Sequence, residues 1–242
     1  MPPLMIDPRF NGPPDSGNGG YTCGLLARSI DGPAVVSLRK PPPLERELRV
    51  ERDGERVLLL DGEELVAEAE PGPAEPAGAP PRPPSLDEAR AADGRAFFRD
   101  AEHHPFPTCF VCGPRRAEGD GLRIFAGPLR EGVFAGTWTP PASVVDGGGA
   151  VPSEIVWSAL DCPTSAPGMN KPDAEGKLLP IVLARLAVDV RAPVEAEVEH
   201  VIASWDLGRD GRKRHAGAAL WSSGGELLAS ARALWIELRS AG

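Results

Sequence analysis

VSLRKP at residues 36–41 and VDVRAP at residues 188–193 begin two similar stretches of this 242-residue chain. RDGER (52–56) and EELVAEA (63–69) follow in the first stretch, and RDGRK (209–213) and GELLASA (225–231) follow in the second. Three related fragments in the same order indicate an internal repeat, which decides the fold before any single element is considered. We therefore expect two copies of one structural unit.

The repeated fragments have the pattern of strands joined by tight turns. AVVSLR and LAVDVR alternate apolar and polar residues with a period of two, which is typical of half-buried strands. Asp53-Gly54 and Asp210-Gly211 lie between such runs, and Asp-Gly pairs favour hairpin turns because glycine tolerates a positive φ. Each copy should therefore end in an antiparallel meander.

One helical segment precedes the meander in each copy. GYTCGLLARS (20–29) is the first, and VPSEIVWSALDC (151–162), with Pro152 in a position that suits the first turn, is the second. We predict that the second helix ends at Asp161 and that residues 163–180 form a long loop. Its apolar face would carry four residues: Ile155, Val156, Ala159 and Leu160. One helix and a curved antiparallel sheet in each half predict an α+β protein.

The middle of the chain separates the two copies. PGPAEPAGAPPRPP (71–84) has almost no large apolar side chain, which predicts an extended, semi-rigid linker. Ser85 and Glu88 then stand at capping-box spacing and predict a short helix. We predict an N-terminal half at residues 1–70, a linker with a short helix at 71–100, and a C-terminal half at 101–242.

Composition narrows the functional classes. A hydrophobic fraction of 41% can build a substantial core, and a net charge of −9 argues against a nucleic-acid partner. No apolar run approaches the roughly 20 residues of a membrane span, and the start MPPLMIDPRF lacks the features of a secretory signal. These features predict a cytoplasmic protein with no membrane span.

Four cysteines are too few and too irregularly spaced for a disulfide framework, which favours reduced thiols. Cys109 and Cys112 have the C-x-x-C spacing of a zinc knuckle, with His103 and His104 nearby. A closed tetrahedral site would need all four of these side chains, and adjacent histidines rarely point the same way. The favoured interpretation is a buried turn with two small thiols.

CFVCGPRRAEGDGLRIFAG (109–127) carries C-F-x-C-G followed by G-L-x-hydrophobic. Together with the tandem helix-and-sheet pattern, this motif resembles the double-hotdog acyl-CoA thioesterases, with the motifs of the phenylacetate-pathway type. The resemblance covers most of the chain outside the linker, and implies a tandem hotdog in which each half is one central helix wrapped by a curved antiparallel sheet. In that family the C-x-x-C pair is not generally a metal site, so we predict no metal ligand and no cofactor.

The resemblance also implies a site. In those thioesterases a His-Gly-Gly sequence begins the central helix and an acidic residue follows seven positions after the second glycine. In the first half Asn18-Gly19-Gly20 takes the His-Gly-Gly place, but Ala27 stands in the acidic position. In the second half Asp161 takes the acidic position and 152–154, Pro-Ser-Glu, replaces the glycines.

Each half thus lacks what the other keeps, which implies one composite site per chain. Asp161 would act as base or nucleophile, the Gly20 N–H would stabilise the oxyanion, and Asn18 would orient substrate or water. Glycine pairs also serve tight turns, and an Asp near a helix end can be a turn former. The predicted substrate-binding residues are Gly19, Tyr21, Ser153, Trp157, Thr164 and Ser165.

Three functions stay open from the sequence. The first is hydrolysis of an acyl-CoA or acyl-carrier thioester, and the second is acyl-thioester or lipid binding without catalysis. The third, an acyl-thioester hydratase or dehydratase, needs a histidine that neither predicted helix contains. A basic cluster at residues 209–214 is a candidate for coenzyme A phosphates. Assembly into a homo-oligomer is also left open.

Overall fold

A computed structural model describes residues 2–72, 80–145, 149–178 and 180–238 of the chain. The helices are α1 (Gly19–Ala27), α2 (Leu86–Asp93) and α3 (Ser153–Met169). The strands are β1 (Ala34–Leu38), β2 (Arg49–Asp53), β3 (Arg56–Asp61), β4 (Glu64–Pro71), β5 (Gly127–Arg130), β6 (Val133–Trp138), β7 (Ile181–Val190), β8 (His200–Asp210), β9 (Lys213–Trp221) and β10 (Leu227–Glu237). Within the described residues these strands form one antiparallel sheet in the order β2-β3-β4-β1-β7-β10-β9-β8-β6-β5.

The sheet joins the two repeats through their first strands. β1 pairs with β7 in antiparallel register, with Ala34 opposite Val188 and Val36 opposite Leu186. Val36 and Val188 begin the two repeated fragments, so this register relates the copies by a local two-fold axis between β1 and β7. The order β2-β3-β4-β1 in one half matches β8-β9-β10-β7 in the other. The internal repeat therefore corresponds to a structural duplication.

Both predicted hairpins are present. β2 turns into β3 at Asp53-Gly54, and β8 turns into β9 at Asp210-Gly211. Gly54 and Gly211 have φ values of 63° and 55°, in the left-handed region that the Asp-Gly pattern indicates. The fragments on either side form the meanders predicted from the sequence.

The central helices α1 and α3 pack against each other and against the sheet. Two glycines of α1 permit this approach, because a Cβ at Gly24 would lie 2.5 Å from Glu154 Cα and a Cβ at Gly20 would lie 2.9 Å from the Trp157 carbonyl oxygen. Side chains from both helices join one continuous core with the inner face of the sheet. Each half is thus one helix wrapped by an antiparallel sheet, the α+β tandem arrangement that the resemblance implies.

The predicted end of the second helix was wrong. α3 continues past Asp161 to Met169 and contains Pro163 and Pro167. A proline inside a helix removes one backbone hydrogen bond, which is why the sequence indicated a stop. Most side chains of α3 are buried, so packing against the sheet outweighs this local preference. Of the predicted loop at 163–180, only the part after Met169 lies outside the helix.

The second half carries additional elements. β5 and β6 form a hairpin that extends the sheet beyond β8. α2 begins with the predicted capping box, in which the Glu88 N–H donates to Ser85 Oγ and the Ser85 N–H donates to Glu88 Oε2. α2 then packs over the outer face of β6 and β8 in a small second core.

The predicted linker coincides only in part with described structure. β4 extends to Pro71, and residues 73–79 lie outside the described residues. The division into segments at 1–70, 71–100 and 101–242 stays a prediction. None of the helices in the described parts of the chain combines the length and apolarity that a membrane crossing requires.

Candidate functional site

A cavity of about 670 Å³ opens beside the N-terminus of α1. The ends of β1 and β10 and the start of β7 form its walls, and Asp161 of α3 lines it together with Gly17, Asn18 and Gly19. Apolar side chains dominate the rest of the lining: Leu38, Phe106, Ile181, Leu183, Trp235 and Ile236. A mostly apolar cavity with a few polar groups at one place is typical of a small-molecule site.

Asn18 caps α1 and also reaches the cavity. Its Oδ1 accepts a hydrogen bond from the Tyr21 N–H at 2.9 Å, which satisfies one of the free donors of the first turn. Its Nδ2 donates to Asp161 Oδ2 at 3.1 Å. Asparagine provides both an acceptor and a donor, so one side chain holds the helix end and the carboxylate together.

The Asp161 carboxylate of the second half meets the helix N-terminus of the first. The Gly20 N–H donates to Asp161 Oδ2 at 2.8 Å, beside the bond from Asn18. Asp161 is 1% exposed, and its Oδ1 has no hydrogen-bond partner among the described residues. The structure therefore brings together the three residues that the sequence selected as the centre of the site.

Burial controls the ionisation of this carboxyl. The pKa of Asp161 is raised to about 7, mainly by desolvation, with a smaller contribution in the same direction from the charge of Cys109. The hydrogen bonds from Gly20 and Asn18 act in the opposite direction because they stabilise the charged form. The charge of Asp161 is thus set by its burial and by these two donors.

The oxyanion donor expected from the sequence is already in use. The Gly20 N–H is bonded to the carboxylate, as given above, rather than directed into open space. The Gly19 N–H, the first of α1, has no acceptor among the described residues, and Gly19 lines the cavity. Among the two glycines, Gly19 therefore has the backbone N–H that can donate to a substrate oxygen.

The predicted substrate-binding residues separate into different places. Gly19 lines the cavity, whereas Tyr21 stacks on Phe10 with ring centroids 3.9 Å apart. The Thr164 hydroxyl donates to the Asp161 carbonyl oxygen and accepts from Trp235 Nε1, so it does not contact the carboxylate. The Ser165 hydroxyl donates to the Cys162 carbonyl oxygen. Thr164 and Ser165 line a separate, much smaller cavity.

Ser153 and Trp157 lie at the position related to the cavity by the local two-fold axis. They line a second depression with Ala27 and Arg28. Ala27 occupies the place of Asp161 there, and Arg28 Nη1 forms an ion pair with Glu154 Oε1 at 3.3 Å. This depression lacks a carboxylate in the equivalent helix position, so the two-fold related places differ in chemistry.

Three thiols lie beside the carboxylate, and one of them, Cys162, was not connected with the other two from the sequence. The Sγ atoms of Cys109, Cys112 and Cys162 all lie within 4.8 Å of one another and are buried. Cys162 stands 50 residues after Cys112 in the chain, so no spacing pattern connects it with the C-x-x-C pair. Hydrogen bonds from Cys112 and Cys162 lower the pKa of the Cys109 thiol.

The two neighbouring histidines behave differently. His103 is exposed, and its Nδ1 lies 3.1 Å from Asp100 Oδ2. His104 is buried, and its Nε2 lies 3.3 Å from Cys112 Sγ. Burial lowers the pKa of His104 to about 4, so its ring is neutral. The four-ligand set of Cys109, Cys112, His103 and His104 is therefore not assembled.

The basic cluster at residues 209–214 is engaged elsewhere. Arg209 and Arg214 form ion pairs with the buried Glu237, and Arg212 donates to the Glu237 carbonyl oxygen. None of these arginines is among the described residues that line the cavity. Arg39 and Lys40 do line it, and they pair with Glu68 and Glu64.

Comparison with known proteins supports the fold. No family model matches the sequence, and no curated protein matches it either. Among solved structures, the chain is similar to a protein of unknown function with a hot dog fold from Alicyclobacillus acidocaldarius, with 12% identity, a TM-score of 0.54, and coverage of 99% of this chain and 93% of that one.

Two further solved structures are similar over nearly their full length. The tesB protein of Mycobacterium avium subs paratuberculosis has 13% identity and a TM-score of 0.61, with coverage of 98% of this chain and 92% of that one. An acyl-CoA thioesterase II, TesB2, from Mycobacterium marinum has 14% identity and a TM-score of 0.54, with coverage of 94% of this chain and 91% of that one. The predicted double-hotdog fold is confirmed.

Proposed function

We propose that this protein hydrolyses an acyl thioester at one composite site between its two halves. The observation that carries the proposal is the contact of Asp161 with the N-terminus of α1 beside an apolar cavity of about 670 Å³. A hotdog neighbour described as an acyl-CoA thioesterase II agrees with this reaction. Acyl-CoA is therefore the first substrate class to test.

The cavity and the helix end have complementary tasks. The apolar walls suit an acyl chain, and the N-terminus of α1 suits the negative charge that develops on the thioester oxygen. The Gly19 N–H is the proposed oxyanion donor because it lines the cavity without an acceptor among the described residues. A substrate carbonyl placed there would lie next to Asp161.

Asp161 supplies the proposed chemical step. Two donors fix its Oδ2, which leaves Oδ1 to take a proton from an attacking water or to attack the carbonyl carbon itself. In the water route the water oxygen bonds to the carbonyl carbon while Oδ1 takes its proton, the C–S bond then breaks, and that proton passes to the leaving thiolate, so that the acid and the free thiol are released. In the direct route the carboxylate displaces the thiolate and forms an acyl anhydride, which water then hydrolyses. Gly20 and Asn18 then act as positioning residues, since they hold the carboxylate rather than contact the reacting atoms.

Arg39 and Lys40 support coenzyme A as the carrier. Both residues line the cavity, and their side chains are about half exposed. Their charges suit the phosphates of a nucleotide carrier, while the apolar lining receives the acyl chain. The arginines at 209–214 are less suited, because none of them is among the described residues that line the cavity.

One observation favours a second candidate, acyl-thioester binding without turnover. The Gly20 N–H, expected to contact the substrate, is bonded to Asp161 instead. The hydratase or dehydratase hypothesis gains no support, because none of the described residues lining the cavity is a histidine. Hydrolysis and binding without turnover are therefore the two functions to separate.

The test is release of free thiol from short, medium, long and aromatic acyl-CoAs by the native protein and by Asp161→Asn. Exposed Asp31 provides the matched control Asp31→Asn. We expect turnover of at least one acyl-CoA, unchanged in Asp31→Asn and reduced about 100-fold or more in Asp161→Asn. Saturable binding of acyl-CoA without turnover across the panel would contradict hydrolysis and favour the binding protein.

A further inference from the structure

The strongest feature that thioester hydrolysis does not use is the group of buried thiols under the cavity. The turn at residues 109–112 brings Cys109 and Cys112 together, and α3 contributes Cys162, the residue after Asp161. Cys23, the fourth cysteine, is buried in α1 and is not part of the group. We propose that Cys109, Cys112 and Cys162 bind one thiophilic metal ion, with Zn²⁺ as the probe.

The distances fit sulfur ligands of one ion. Tetrahedral zinc with Zn–S bonds of about 2.3 Å places its sulfurs about 3.8 Å apart. Cys109 Sγ and Cys162 Sγ are 3.8 Å apart, and all three Sγ atoms lie within 4.8 Å of one another. Thiolate sets of this kind select soft cations over Mg²⁺ or Ca²⁺.

Two N–H groups point at the sulfurs. His104 Nδ1 accepts from the Phe106 N–H at 2.9 Å, so the hydrogen of the neutral ring is on Nε2, which lies 3.3 Å from Cys112 Sγ. Asn18 Nδ2 lies 3.9 Å from Cys109 Sγ. Donors of this kind support metal-bound thiolates, whereas three packed neutral thiols do not need them.

The position of the hydrogen on Nε2 determines how His104 can take part in the site. A ring whose Nε2 carries the hydrogen does not coordinate a metal through that nitrogen, so His104 is an outer partner of Cys112. The sulfur set thus has three protein ligands and leaves a fourth position to water or an anion, an arrangement found in open metal sites. Cys109 and Cys162 line the cavity, which provides the entry path.

The test measures metal binding directly and is independent of thioester hydrolysis. The full chain is reduced, freed of metal with a chelator, and titrated with Zn²⁺ against a chromophoric competitor. Binding of Cd²⁺ or Co²⁺ is followed by sulfur-to-metal charge-transfer absorption. We expect one ion per chain, bound with a charge-transfer band and protection of three thiols from alkylation.

Variants separate the sulfur site from unspecific binding. Cys162→Ser should weaken binding by more than the 10- to 100-fold typical for the loss of an outer partner, and His104→Phe should weaken it by about that amount. Cys23→Ser is the matched control and should bind like the native chain. Absence of stoichiometric binding by the native chain, or equal affinity in Cys162→Ser, would overturn the proposal. A Cys109–Cys162 disulfide in protein purified under reducing conditions would also overturn it.

Discussion

The Gly20 N–H donates to Asp161 Oδ2 at 2.8 Å, and this bond joins residues 141 positions apart in the two halves of the chain. Gly20 is the second residue of the central helix of the first half, and Asp161 lies inside the central helix of the second. In a duplicated fold two such contacts would be expected, but Ala27 stands where the second carboxylate would be. The chain thus has one candidate site at one of two related places.

Replacement of Gly20 tests the close approach of the two helices. A Cβ at position 20 would overlap with Asp161 Cβ and lie 2.9 Å from the Trp157 carbonyl oxygen. We expect Gly20→Ala to lower the free energy of unfolding by about 1–3 kcal/mol, as overpacking does. In the control Gly94→Ala, the nearest atoms lie 3.9 Å from the new Cβ. Denaturant unfolding of both variants checks this; equal stability of Gly20→Ala and Gly94→Ala would show that the helices move apart freely.

Asn18→Asp tests how the helix cap and the carboxylate are coupled. Aspartate caps a helix as well as asparagine, so α1 should keep its N-terminus. The new carboxylate would replace the donor to Asp161 Oδ2 with a second negative charge. We expect helix content near that of the native protein, but acyl-CoA hydrolysis reduced at least about tenfold relative to the native protein. Native activity in Asn18→Asp would mean that Asn18 does not position Asp161.

Arg39 and Lys40 provide a test of the carrier. Arg39→Gln and Lys40→Gln should each raise KM for acyl-CoA by about two- to fivefold, which is the effect expected from the loss of one exposed ion pair with a phosphate. KM for the matching acyl-pantetheine should not change, because that substrate lacks the nucleotide phosphates. Arg46→Gln is the control, since Arg46 pairs with Asp61 and does not line the cavity. Equal increases of KM for both substrates would assign these side chains to a role other than phosphate binding.

Asp93 predicts a pH dependence of stability away from the cavity. Burial at the end of α2 raises the pKa of Asp93 to about 6, against the charges of Arg99 and Arg123. The folded chain therefore holds this proton more tightly than the unfolded chain, whose carboxyl has a pKa near 3.8. Stability should fall as pH rises from about 4 through 6.

The matched variant for this prediction is Asp93→Asn. Relative to the native protein, the variant should be more stable at pH 7.5 than at pH 4.5, because asparagine has no charge to desolvate. Its free energy of unfolding minus that of the native protein should therefore be larger at the higher pH. Urea unfolding at both values of pH provides the measurement. The same difference at both pH values would show that the carboxyl does not titrate between them.

Local signals predicted much of the fold. Each Asp-Gly turn depends on the positive φ of its own glycine, so the local sequence is enough to predict it. The repeat of VSLRKP and VDVRAP corresponds to the symmetric pairing of β1 with β7. The helix end at Asp161 was wrong because burial of α3 outweighs the effect of Pro163. Among the described residues of the first half, the hairpin of β5 and β6 has no counterpart, so the repeat did not indicate it.

The contacts within the candidate site could be anticipated where they followed from the complementary halves, but not where they depended on the direction in which a side chain points. Gly20, Asn18 and Asp161 were found because each half lacks what the other keeps. Thr164 was assigned from its distance along the chain, but its hydroxyl points to the backbone. Cys162 escaped notice because only the crossing of α3 with the 109–112 turn brings its thiol to the other two.

The central claim is that residues from both halves form one functional unit, and a double-mutant cycle of Asn18→Ala and Asp161→Asn tests it most directly. The kcat/KM for the best acyl-CoA is measured for the native protein, both single variants and the double variant. Because Asn18 acts through the carboxylate, the double variant should be no slower than Asp161→Asn alone. Losses that multiply in the double variant would show that the two residues act independently, and would contradict the composite site.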